Sequence, residues 1–176
     1  MKKARWLFIT LGLICVIFAV IMVTGIIKVL RIPTTAMEPT FNAGDHVAFR
    51  FKRGLNDSDR ERVVCFQISE VPYLCKFMQR DEKMIKRVAA LPGDTISTDG
   101  KMIFINGSPR ARKGSFAINQ YQIDLSSPVV IPEGFFYVLG DNDSNSLDSR
   151  MFGLVPISAV RGITIKEVEQ GTKSDG

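Results

Sequence analysis

The sequence is poor in the residues that most hydrolases and metalloproteins use. It holds one histidine, His46, and three cysteines among 176 residues, too few Cys and His for the ligand cluster of a zinc site. With a single histidine, a Ser-His-Asp triad is excluded unless His46 itself serves, and His46 stands beside a turn on an alternating stretch where a surface role is the commoner one. Acid-base chemistry must therefore find another proton acceptor. Runs of like charge are also missing. The net charge of +5 comes from scattered Lys and Arg, which argues against nucleic acid as partner and leaves anionic lipid headgroups or plain solvation to account for it. From Trp6 to Ile27 the chain has 22 residues without any charge.

That uncharged run is the first feature present rather than absent. As a helix it would extend about 33 Å, enough for a bilayer core of about 30 Å. It exceeds the apolar core of a cleaved signal peptide, roughly 7–15 residues, although Thr34-Thr35-Ala36 offers small residues at a spacing that a leader peptidase reads. The expectation is an uncleaved anchor over 6–30 behind a short cytoplasmic N-terminus, 1–5. Lys2, Lys3 and Arg5 precede the run while Lys28 and Arg31 follow it, a narrow margin for a cytoplasmic N-terminus and an extracytoplasmic body. In such a compartment Cys65 and Cys75 either pair or remain two buried thiols; both readings stay open.

The body reads as mainly β. Turn residues before His46 lead into alternating Val47, Phe49 and Phe51, a strand with one buried face. Lys52 to Arg62 is a polar surface loop, Val63 to Phe66 a short apolar strand broken at Pro72, and the pattern resumes over Tyr73–Met78. Leu91-Pro92-Gly93-Asp94 closes the next segment as a turn. Asp99-Gly100 and Asn106-Gly107 predict two consecutive hairpins, after which Ser108 to Gln122 reads as exposed and polar. Pro132 to Gly140 returns to a buried strand, Ile163–Val168 supplies the last one, and 169–176 is a polar tail.

Three short segments, in this order, carry chemistry. Thr34-Thr35-Ala36-Met37-Glu38-Pro39-Thr40 follows the apolar run. Ile85-Lys86-Arg87-Val88-Ala89-Ala90-Leu91-Pro92-Gly93-Asp94 places Lys86 fifty positions beyond Ala36, and Gly140-Asp141-Asn142 precedes Ser146-Leu147-Asp148-Ser149-Arg150. Together they resemble the signatures of the type I signal peptidases, membrane serine proteases with a Ser-Lys dyad. The resemblance implies a β-rich catalytic domain over 31–168 with a small β cap inserted at about 98–131, preceded by one N-terminal transmembrane helix. It also assigns roles: nucleophile position to Ala36, general base to Lys86, orientation of that lysine to Ser146, oxyanion hole to the Ala36 N–H and the Thr34 hydroxyl, and a structural charged pair to Asp148 and Arg150. No metal and no cofactor are implied. The partners would be signal peptides of exported preproteins and the lipid bilayer, not nucleic acid, and the oligomeric state stays open.

The departure from the pattern is Ala36, where the family has Ser. Burial among apolar groups can make Lys86 neutral near pH 7, whereas Arg87 beside it cannot lose its proton. The base is thus present and the attacking oxygen is not. Three accounts stand side by side: a substitution that traps an enzyme, a natural leader-binding or regulatory relative that does not cut, or attack by Thr35. The last suffers because neighbouring strand residues face opposite sides. A self-cleaving repressor, similar in fold and in Ser-Lys chemistry, is disfavoured by the apolar helix and the absence of a DNA-reading domain.

Overall fold

The computed structural model describes residues 2–24, 26–72, 74–78, 82–112, 125 and 127–165, apart from some side chains within the helices. Helix α1 (Lys2–Thr24) takes up the apolar run. Its described side chains from Trp6 to Val16 are all exposed, and among the described residues no helix is long and apolar enough to cross a membrane. The helix stops short of the expected end of the anchor. Ile27–Leu30, counted with it in the sequence, belong instead to strand β1 (Ile27–Arg31), which pairs antiparallel with β2 (His46–Phe51).

From β1 the main sheet continues through β2, β11 (Val160–Thr164), β3 (Val63–Gln67), β4 (Lys83–Ala90), β9 (Phe135–Leu139) and β10 (Val155–Pro156). All its pairings are antiparallel. Strand β3 is central and buried throughout because its two faces serve two cores: Val64 and Phe66 join Val88, Phe136 and Val138, while Val63 and Cys65 join Ile32, Met37, Phe49 and Ile85. The period-2 pattern thus becomes two packed layers.

A second sheet holds β7 (Ser108–Arg112), β6 (Met102–Ile105), β5 (Thr95–Thr98) and β8 (Val129–Val130) in that order. The turn between β4 and β5 is set by Pro92 and Gly93: Gly93 has φ +87°, and the Asp94 N–H donates to the Leu91 carbonyl at 3.0 Å, the type II arrangement that wants Pro then Gly. Asp99-Gly100 and Asn106-Gly107 turn β5 into β6 and β6 into β7. Ala89, Ala90, Tyr137 and Leu139 share a third core with Ile96 and Ile103 of this sheet and Ile131 just after β8.

Ser108–Arg112 is a mostly exposed strand, in keeping with the exposure expected of this stretch, and a tight turn after β6 lets its backbone hydrogen bonds form with only Ala111 buried; 113–122 lie outside the described residues. Three expectations need correction. Leu74–Phe77 is a helical turn, α2, rather than resumed strand: Cys75 and Met78 N–H groups donate to carbonyls four residues back. Phe51 ends β2 at 49% exposure with the Arg53 guanidinium 5.7 Å above its ring, so the buried face of β2 closes at Phe49. The last strand is Val160–Thr164 rather than Ile163–Val168, and 166–176, with the expected tail, lie outside the described residues. Cys65, buried, and Cys75, exposed, are free thiols.

Candidate active site

Ile32 leads out of β1 into a loop closed by two hydrogen bonds, Ile32 N–H to Asp45 O and Gly44 N–H to Ile32 O, each 2.8 Å. Inside that loop Thr35–Met37 makes a single 3-10 turn. Thr34 caps it, its Oγ1 accepting from the Ala36 N–H at 3.5 Å, a long and weak contact. Met37 drops into the core with Phe41, which fixes the turn and presents Ala36 beside it, 6% exposed.

Lys86 comes from the opposite wall. It shares a face of β4 with Met84 and Val88, residues of the first core, and is 5% exposed. Removal from water pushes the amine down to about 8. Asp148 and Asp141 pull it upward, and Arg150 adds to the lowering. Its Nζ donates to the carbonyl of Ile85 at 3.1 Å. Ala36 and Lys86 line one cavity of about 350 Å³, with Ile32, Ile68, Met78 and Leu147 supplying apolar wall and Thr34, Glu82, Lys83 and Asn145 the polar part.

The third segment, between β9 and the short helix α3 (Ser149–Phe152), wraps the 3-10 turn. Asn142 donates from its backbone to Ala36 O at 3.2 Å and from its side chain to Thr35 O at 3.1 Å, while Asn145 Nδ2 donates to Thr35 Oγ1 at 2.8 Å. Thr35 is thereby turned to Asn145 and is not part of the cavity wall. Gly140 permits the close approach: a Cβ there would lie 2.1 Å from Ser146 Oγ and 2.6 Å from Ala36 O. Ser146 is buried beside it, and its Oγ has no hydrogen-bond partner among the described residues. The contact between Ser146 and Lys86 that the sequence led us to expect is therefore not made in this state; the amine is satisfied by its own strand's carbonyl instead.

Asp148 ties the segment down. Its carboxylate accepts from Gly140 N–H at 3.0 Å, caps α3, and pairs with Arg150 at 2.7 Å; Arg150 also donates to Asp143 O and to Arg112 O of the second sheet. Sequence reasoning missed a second anchor. Arg87, on the other face of β4, makes a two-pronged pair with Asp141 at 2.8 and 2.6 Å and donates to Glu61 O and Thr40 Oγ1. Asp141, Asn142 and Asn145 were all visible as a polar turn, but nothing in their spacing named Arg87 or Thr35 as partners. His46 is exposed on β2.

Comparison with known proteins identifies the family. Residues 4–167 match the family model described as signal peptidase, peptidase S26. A probable signal peptidase I-2 of Synechocystis is 30% identical over 148 residues, 84% of this chain, and the chain spans 65% of that relative's length. Signal peptidase I of Leptolyngbya laminosa is 31% identical, covering 87% of this chain and 73% of that protein. The crystal structure of a signal peptidase I from Enterococcus faecalis V583 superposes with a TM-score of 0.41 at 27% identity, over 62% of this chain and 97% of that one. With nearly the whole described chain inside the matched span, the protein belongs to the signal peptidase family, peptidase S26.

Proposed function

We propose that the chain is built as a membrane-anchored serine endopeptidase of the signal peptidase I type, acting on leader peptides of exported precursors, and that Ala36 leaves this form able to bind a leader but not to cut it. The observation that carries the proposal is that Ala36 and the buried amine of Lys86 line the same cavity. A serine in place of Ala36 would bring a hydroxyl to a base whose proton is already loosely held, the usual way a weak nucleophile is activated. The Ala36 N–H, held only by the long contact to Thr34, is free to turn with the Thr34 hydroxyl toward a developing oxyanion. Lys86 would swing from Ile85 O, and the partnerless Ser146 hydroxyl is the group that can receive it.

The walls favour an extended peptide. Strand β4 pairs with β3 along 83–87, but β9 joins it only from Arg87 onward, so the edge at 83–86 is open toward the cavity, facing Ile32–Thr34. A peptide can add its backbone to such an edge. Thr35 is a poor substitute nucleophile, because its hydroxyl is engaged by Asn145 and lies off the cavity wall. Anchoring is supported by the exposed apolar residues of α1, Trp6–Val16, and the surplus of basic residues ahead of that run orients the body outside the cell membrane.

The test is Ala36→Ser incubated with a leader peptide that has Ala one and three residues before the bond. The restored enzyme cleaves it, while the Ala36 chain binds it uncut. The gain is on the order of a million-fold, as when a serine protease loses or regains its nucleophile alone. An Ala36→Ser variant that binds leaders yet cuts none would instead support the non-catalytic leader-binding reading, and one that neither binds nor cuts would remove the assignment.

A further inference from the structure

Ala36 changes which atoms in the cavity can attack. Beside the methyl group of Ala36 stands one buried amine, Lys86, and the neighbouring Thr34 hydroxyl is exposed and takes up the Ala36 N–H. Lys83, the other lysine on the wall, is open to water. An amine attacks only while its lone pair is free of a proton. Lys86 Nζ spends one hydrogen on Ile85 O, and the two carboxylates that act on it from a distance, Asp148 and Asp141, are engaged by Arg150 and Arg87. Neither holds it as an ion pair. Desolvation by Met84, Val88 and the core beneath them then favours the neutral amine. Such lysines attack carbonyl carbon to give Schiff bases.

We propose that Lys86 is a carbonyl-capture site, forming an imine with apolar aliphatic aldehydes that enter the cavity. The nitrogen lone pair adds to the carbonyl carbon, and a proton passes from nitrogen to the oxygen, giving a carbinolamine. Loss of that hydroxyl with the second nitrogen proton, as one water, leaves the C=N bond: aldehyde and amine in, imine and water out, with no oxidant or reductant. The apolar wall of Ile32, Met37, Ile68 and Met78 selects an alkyl chain over a charged carbonyl compound. Peptide cleavage plays no part in the step, so it stands apart from the peptidase reading.

The probe is butanal with the full chain at pH 7, the imine being fixed as a secondary amine by sodium cyanoborohydride and located by peptide mass mapping. Lys86 takes the label on the order of 100-fold faster than free Nα-acetyl-lysine, from the difference in neutral fraction, and well ahead of exposed Lys101. Glyoxylate, a charged aldehyde, loses that preference. In Ala36→Ser the label at Lys86 falls severalfold, because the new hydroxyl donates to Nζ and occupies the lone pair. Equal labelling of Lys86 and Lys101 by butanal overturns the proposal, as does a preference that glyoxylate shares. Unchanged labelling in Ala36→Ser overturns the placement of the aldehyde beside residue 36. If Ala36→Ser cuts leaders while Lys86 in the parent chain ignores butanal, capture fails and the peptidase reading stands.

Discussion

The two faces of β4 treat a buried cation in opposite ways. On one, Lys86 is 5% exposed among Met84 and Val88 with only a neutral carbonyl to bond; on the other, Arg87 is 2% exposed and meets a carboxylate, a carbonyl and a hydroxyl. Burial is nearly equal, so burial does not decide what each residue does. The partner does. Without an anion in contact, the ammonium loses free energy to desolvation and gives up its proton near pH 8. A guanidinium is charged whatever its partner, and the two-pronged pair with Asp141 uses that charge to fasten the 140–150 segment to the sheet. One face leaves its amine easy to deprotonate, and the other ties the 140–150 segment to the sheet.

The sharpest way to break the comparison is to remove the switching side where its effect is amplified. In the Ala36→Ser background, Lys86→Ala should lower leader cleavage by about ten-thousand-fold or more, with the fold intact by circular dichroism. Before that second change, the rate should climb as pH rises through about 8 and then level, because the base acts only when neutral. A rate flat across that window would show that some other group takes the proton.

The holding side should answer in stability, not in rate alone. Arg87→Met leaves Asp141 buried without its partner and should cost about 3–5 kcal/mol, measured as a lower urea midpoint. Arg87→Lys should recover little, since a point ammonium cannot serve both oxygens of Asp141 together with Glu61 O and Thr40. A loss under about 1 kcal/mol for Arg87→Met would mean that the pair is ornamental.

This asymmetry shows why the sequence was readable on one face and opaque on the other. Lys86 could be singled out because the segment around it resembles a family signature; its apolar chain neighbours Ile85, Val88 and Ala89 alone would equally suit a solvated strand residue. Arg87 was read only as a group unable to act as a base, which is correct and incomplete. Its partner lies 54 positions away, and no local pattern announces a pairing over that distance. The same limit hid Asn142 and Asn145, whose target is Thr35, and strand β7, whose partner strand supplies the backbone bonds that its own polar side chains do not suggest. Hairpins set by Asp99-Gly100 and Asn106-Gly107 were legible because a two-residue turn is a local event.

A smaller effect of opposite sign belongs to the lysine. The folded state holds Lys86 at about 8 against 10.5 for a free lysine, so the folded chain binds fewer protons than the unfolded chain between those values. Stability must rise with pH across that window. Below it the full penalty is present, about 3 kcal/mol. Lys86→Met should therefore stabilise the protein at pH 7 by up to about 3 kcal/mol and flatten the rise between pH 8 and 10. Urea titrations of both chains at pH 7 and pH 10 read this directly. Destabilisation at pH 7 would mean that the amine contributes contacts that outweigh its desolvation.

The least effect should come from the one support of Arg87 that looks most dispensable. Glu61 has φ +65°, a conformation that L side chains rarely adopt, and its carbonyl accepts from Arg87 while its carboxylate pairs with Arg110 at the surface. Only the carbonyl serves the buried face; the exposed ion pair is of the kind worth about 1 kcal/mol or less. Glu61→Gly removes the ion pair, keeps the carbonyl and relieves the left-handed backbone by roughly 1 kcal/mol. The two terms nearly cancel, so the urea midpoint should stay within about 1 kcal/mol of the parent. Glu61→Ala deletes the same carboxylate but keeps the backbone strain, and should be the less stable of the two. If Gly and Ala behave alike, the positive φ of Glu61 carries no measurable strain, and the Glu61 carbonyl reaches Arg87 without it.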